Sequence, residues 1–71
     1  MKADEWLRRY AEAIGTDPPG ETTVAELLDL AATAAHSSER IAAPIACYLA
    51  GRDGRALEEL REIADGIADG D

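Results

Sequence analysis

The single histidine of this sequence, His36, lies among charged side chains at helical spacing. Asp29 precedes it by two turns, and Glu39 and Arg40 follow at i+3 and i+4. Such a group could transfer protons, ligate a metal or hold an anion through the arginine. One histidine with scattered carboxylates offers too few ligands for tight zinc binding, and these residues could equally tie a helix end to its neighbour. We therefore expect no catalytic residue and no metal, and treat the four residues as a candidate ligand or interaction surface.

The other nucleophilic side chains lack a catalytic context. Ser37 and Ser38 have no Gly-x-Ser-x-Gly motif around them, and capping at a helix end explains them. Cys47 lies in the most apolar segment, where a cysteine behaves as a small hydrophobe rather than a reactive thiol. A lone cysteine also excludes an internal disulfide. We expect no enzyme activity and no cofactor.

Trp6 is the remaining candidate residue. A tryptophan near the start of a helix often fills the core. If it is partly exposed instead, it is the residue type that most often dominates a protein–protein contact. The sequence leaves both roles open, and Trp6 joins the candidate interaction surface.

Helices must position these residues, because the apolar residues recur at helical spacing and no strand pattern competes. We predict an all-α fold, a compact four-helix bundle forming one domain over residues 1–71. The expected helices span about 4–14, 23–39, 43–51 and 54–68. The expected end signals are Asp4, a Thr23–Glu26 capping box and Asp53 as N-terminal caps, and Gly15 and Gly51 as stops.

The segment around Pro44 carries no charge on any side, and a helix that is apolar all round is usually buried. Pro44 belongs in its first turn, where no N–H is needed. We expect the other three helices to enclose this segment. Apolar stripes should face inward on the first helix (Trp6, Leu7, Tyr10 and Ile14) and on the fourth (Leu57, Leu60, Ile63, Ala64 and Ile67). Leu30 should let the second helix touch two neighbours, and Arg61 should pair with Asp65.

Composition restricts the partners. The formal net charge of −8 disfavours nucleic acid and anionic membranes, and it suits a basic surface on a protein partner. Many of the hydrophobic residues are alanines, so the core is thin, and self-association or docking would add stability. The start of the chain has no apolar segment that would direct secretion, and we expect a cytoplasmic protein.

Several short runs resemble a small actinobacterial all-helical domain family of unknown function, found alone or fused to molybdenum cofactor guanylyltransferase-like proteins. The runs are Asp4-Glu5-Trp6-Leu7, Leu27-Leu28-Asp29-Leu30-Ala31, Ala35-His36, Glu39-Arg40 and Ala42-Ala43-Pro44. Thr33 and Ile41 depart from the family's pattern. The resemblance implies an association with synthesis or insertion of molybdopterin-guanine dinucleotide. It transfers no active-site residue.

Three functional interpretations follow. The first is a non-catalytic accessory module that binds a protein partner, such as a nucleotidyltransferase or a molybdoenzyme accessory protein. The second is a small ligand- or anion-binding domain that uses Asp29, His36, Glu39 and Arg40. The third is a self-associating structural protein, which allows a homo-oligomer.

Overall fold

The computed structural model describes residues 1–70 and confirms the all-α fold. Its four helices in that range are α1 (Ala3–Ile14), α2 (Glu21–Ser37), α3 (Ala42–Asp53) and α4 (Leu57–Gly70). No boundary differs from the predicted one by more than three residues. None of the helices within the described range combines the length and apolar character needed to cross a membrane.

Two glycines in left-handed conformation end helices. Gly15 has φ 82° after α1, and the next N–H, that of Thr16, donates to the Ala11 carbonyl at 2.9 Å. This pattern satisfies carbonyls that the helix leaves unpaired. Gly54 has φ 85° after α3, whereas Gly51, the predicted stop, lies inside the helix. Glycine is favoured at the two left-handed positions because it has no Cβ.

The predicted N-terminal caps are wrong. Helix α1 begins after Lys2, and Asp4 lies in its first turn, where the carboxylate accepts a hydrogen bond from the Glu5 N–H. Helix α2 begins after Gly20, so Thr23 lies inside the first turn rather than at a cap. Asp53 is the last residue of α3. Its carboxylate accepts hydrogen bonds from the side chain and backbone N–H of Arg55, and these lower the pKa of Asp53.

Helix α2 forms the centre of the fold. It packs against both α3 and α4, and no other pair of described helices makes contacts as extensive. Leu30 is the most buried residue of α2, with 5% of its surface exposed. The prediction that Leu30 allows α2 to touch two neighbours is confirmed.

The prediction that α3 is enclosed is wrong. Ile45, Tyr48 and Leu49 expose 59%, 63% and 47% of their surface. Helix α3 meets α2 through its small side chains, since Ala50 is buried and Ala46 and Cys47 are half-buried. Only α2 packs extensively against α3 within residues 1–70, so the opposite, bulky side of α3 stays open.

The inward stripes predicted for the outer helices are also largely open. Trp6, Leu7, Tyr10 and Ile14 on α1 expose between 43% and 59% of their surface. On α4, Ile63 and Ile67 are exposed, whereas Leu57, Leu60 and Ala64 are half-buried. A compact monomer of 7.5 kDa is expected to expose about 4,200 Å². This chain exposes 5604 Å².

Two leucines of α2 test the core assignment. Leu30→Ala removes the best-covered side chain, and we expect the free energy of unfolding to fall by about 2–4 kcal/mol. Leu28 exposes 64% of its surface, so Leu28→Ala should cost less than about 1 kcal/mol. Urea unfolding followed by circular dichroism measures both. Equal losses would contradict the assignment of the core to Leu30.

Candidate functional site

A polar groove between α2 and α4 brings together part of the predicted cluster. The groove is open and has a volume of about 800 Å³. Asp29 and His36 lie along its α2 side, and both are exposed. The complete lining is Asp29, Ala32, Thr33, His36, Ser37, Arg61, Asp65, Ala68 and Asp69.

The other two members of the predicted cluster lie elsewhere. Glu39 lines a separate, largely apolar groove beside α3, and Arg40 lines neither groove. Helix α2 ends at Ser37, so Glu39 and Arg40 belong to the connection to α3 and lose the helical spacing to His36. The structure therefore divides the predicted set into an Asp29–His36 pair and two separate residues.

The cation beside Asp29 is Arg61 of α4, for which helical spacing alone predicts Asp65 as the partner. The Arg61 guanidinium lies 3.0 Å from an Asp29 carboxylate oxygen and 3.7 Å from one of Glu26. Asp65 instead accepts a hydrogen bond from the Thr33 hydroxyl at 3.3 Å. These contacts join α2 to α4. Spacing along one helix could not predict them, because they depend on how the two helices align.

The charges in this groove restrict its chemistry. Arg61 already faces the carboxylates of Glu26 and Asp29, and Asp65 and Asp69 add further negative charge. A free anion would meet more negative than positive groups, which disfavours binding. The described residues include no set of three or more His, Cys, Asp or Glu side chains arranged to hold a metal ion. The contacts instead support a structural role at the α2–α4 seam.

The serines and the cysteine make structural contacts. Ser37 and Ser38 donate their hydroxyl hydrogens to the carbonyls of Thr33 and Ala34, both at 2.6 Å. Both hydroxyls therefore bond to carbonyls one turn earlier, at the C-terminal end of α2. The half-buried Cys47 has its Sγ 3.8 Å from the Leu27 carbonyl, and burial raises the pKa of its thiol. A raised pKa disfavours the reactive thiolate.

Trp6 is not a core residue, because 53% of its surface is exposed. Its ring stacks on that of Tyr10 one turn later, with centroids 5.1 Å apart and planes inclined by 18°. A groove beside Leu7 lies between α1, the two prolines of the connection and the first half of α2. Trp6 and Tyr10 are each about half exposed to solvent. Of the two roles open to Trp6, core residue or partner contact, this exposure favours the partner contact.

Residues 1–69 match the family model described as Domain of unknown function (DUF6457). The chain belongs to this family. No curated protein and no solved structure matches it significantly. The match covers nearly the whole helical domain, and the family's description assigns no chemistry to it.

This DUF6457 domain has a second open surface, on the helix that the sequence predicts to be enclosed. We call it the α3 face and define it by Ile41, Ile45, Tyr48, Leu49 and Arg52. Its first part borders an open groove of about 630 Å³, which Glu39 also lines. At its other end the Arg52 guanidinium lies 5.3 Å from the centre of the Tyr48 ring, a cation–π contact. The i, i+3, i+4, i+7 spacing from Ile45 to Arg52 is the signal that could have revealed this face.

A substitution of Arg61 tests the α2–α4 seam. Arg61→Met keeps much of the side-chain length but removes the charge, and we expect the free energy of unfolding to fall by about 1 kcal/mol at low salt. The loss should shrink in 1 M salt, where the Debye length is about 3 Å.

Arg9 provides the matched control, because its contact with Glu5 at 3.2 Å is an exposed i,i+4 pair within α1. Arg9→Met should cost only about 0.2–0.5 kcal/mol. Urea unfolding at two salt concentrations compares the variants. An Arg61 loss no greater than the Arg9 loss would show that the bridge between helices is not stabilising.

Proposed function

We propose that this DUF6457 chain is a non-catalytic, cytoplasmic interaction module that docks a protein partner through the aromatic pair of α1. The observation that carries the proposal is the stacking of Trp6 on Tyr10 on a helix that the rest of the fold barely covers. Trp6 and Tyr10 expose 53% and 51% of their surface. Tryptophan and tyrosine are enriched among the residues that dominate binding energy.

The chemistry of the partner follows from the same surface and from the charge of the chain. A stacked pair on one helix presents a rigid apolar ridge, which fits an apolar groove on a partner. The net charge of −8 favours a groove with a basic rim, since complementary charges accelerate encounter and orient docking. Leu7, 43% exposed on the same helix, can extend the contact.

The identity of the partner comes from the sequence resemblance alone. The runs beginning at Asp4 and Leu27 resemble the actinobacterial domains fused to molybdenum cofactor guanylyltransferase-like proteins. We accordingly propose an accessory role in the synthesis or insertion of molybdopterin-guanine dinucleotide. The partner would be the nucleotidyltransferase or a molybdoenzyme accessory protein.

Binding to the purified host nucleotidyltransferase tests the proposal, with calorimetry as the measurement. We expect binding by the wild-type chain, and Trp6→Ala should raise Kd about 30-fold, which corresponds to about 2 kcal/mol. Ile67→Ala is the control, because Ile67 is 64% exposed but lies on α4. It should leave Kd unchanged.

Two results would contradict the proposal at different levels. If the wild-type chain binds neither the nucleotidyltransferase nor a molybdoenzyme accessory protein, the link to molybdenum cofactor metabolism fails. If it binds and Trp6→Ala has no greater effect than Ile67→Ala, the assignment to α1 fails.

A further inference from the structure

The α3 face has the properties of an interface between two copies of this chain. Ile41 exposes 73% of its surface, Tyr48 63% and Ile45 59%. These are bulky apolar side chains on one side of one helix, and nothing within residues 1–70 covers them extensively. A contiguous exposed apolar face of this kind indicates an interaction site.

Charge favours a second copy as the occupant of this face. Two chains that each carry −8 repel one another wherever acidic surfaces meet. The segment from Ile41 to Gly51 contains no Asp, Glu, Lys or Arg and is the longest such segment in the chain. Two copies can therefore bring their α3 helices together without opposing like charges at the centre.

The two ends of the α3 face carry opposite charges, so they complement each other when two copies pack antiparallel. In a two-fold contact, if residue i of one copy touches residue j of the other, then residue j of the first copy also touches residue i of the second. If the two α3 helices cross antiparallel between Ile45 and Ala46, Glu39 of one copy lies opposite Arg52 of the other. Arg52 lies about 10 Å from that centre at 1.5 Å per residue of α3. Glu39, in the connection just before α3, lies at the opposite end of the face, where it lines the groove beside Ile41. The same arrangement places Tyr48 of each copy opposite the part of the groove between Ile41 and Ile45 of the other.

The chain as a whole exposes more surface than a compact monomer of its size, so it has area that association could cover. The surface of 5604 Å² exceeds the expectation for a compact monomer by roughly 1,400 Å². A stable interface removes about 800 Å² from each partner. That excess also includes the exposed residues of α1 and α4, so a dimer through the α3 face would cover part of it and would leave the aromatic pair of α1 free.

We propose that the α3 face is a homodimer interface in which two α3 helices pack antiparallel and Glu39 of each copy pairs with Arg52 of the other. This inference does not depend on the proposed partner, because the partner contact uses α1.

Charge reversal tests both the interface and its direction. Analytical ultracentrifugation of the wild-type chain should give twice the monomer mass of 7.5 kDa at high concentration, with dissociation on dilution. Glu39→Lys and Arg52→Glu should each raise the dimer Kd at least about tenfold, because each places like charges opposite one another. The double variant restores opposite charges and should return Kd to within about threefold of the wild type.

Two equally exposed isoleucines provide the apolar comparison. Ile45 on α3 and Ile14 on α1 each expose 59% of their surface. Ile45→Asp should leave the chain monomeric while its helix content, followed by circular dichroism, is unchanged. Ile14→Asp should sediment as the wild type does.

Three results would overturn the inference. A wild-type chain that remains monomeric at every concentration would show that this face is bare or binds a different protein. A double charge variant no tighter than the single variants would exclude the antiparallel pairing. Equal weakening by Ile14→Asp and Ile45→Asp would place the contact elsewhere or make it nonspecific.

Discussion

The packing of α3 and α4 on α2 is the contact on which the rest of this domain depends. Leu30 lies at the base of a cleft bordered by Ala46 and Ala50 of α3 and by Ala64 of α4. Small side chains let the helices approach α2, but they bury little apolar area per residue. Hydrophobic burial is roughly proportional to that area, so this core contributes little stabilisation for its length. The polar contacts of Arg61 and Asp65 supplement it where α4 meets α2.

The same packing explains why the domain exposes its bulky residues. Alanines face inward on α3, so Ile45 and Tyr48 remain mostly exposed, and Leu49 borders the cleft beside Leu30 with 47% of its surface exposed. On α1 the aromatic pair likewise lies outside the core. An arrangement with small residues inside and large residues outside is unfavourable for an isolated chain in water. It becomes favourable when the large residues are covered by another molecule, which is the basis of both proposals.

The sequence was sufficient for the helices and several local features. Helical periodicity and the glycine and proline positions predicted four helices, the stop at Gly15 and the placement of Pro44 in the first turn of α3. The sequence was not sufficient for the environment of α3. An uncharged helix is expected to be buried, but its sequence does not say whether its own chain or another molecule buries it. The pairing of Arg61 with Asp29 could not be predicted either, since residue spacing within α4 indicates only Asp65 as a partner. The His36 cluster divided because α2 ended before Glu39.

The central claim is that the open apolar surface of this domain is covered by association, and the concentration dependence of its thermal unfolding tests this directly. Association that occurs only in the folded state raises Tm as protein concentration increases. We predict a Tm that rises steadily over a hundredfold range of concentration, followed by circular dichroism of the chain alone. A Tm that stays constant over that range, at the same helix content, would show that the isolated chain is stable without cover and would contradict this account.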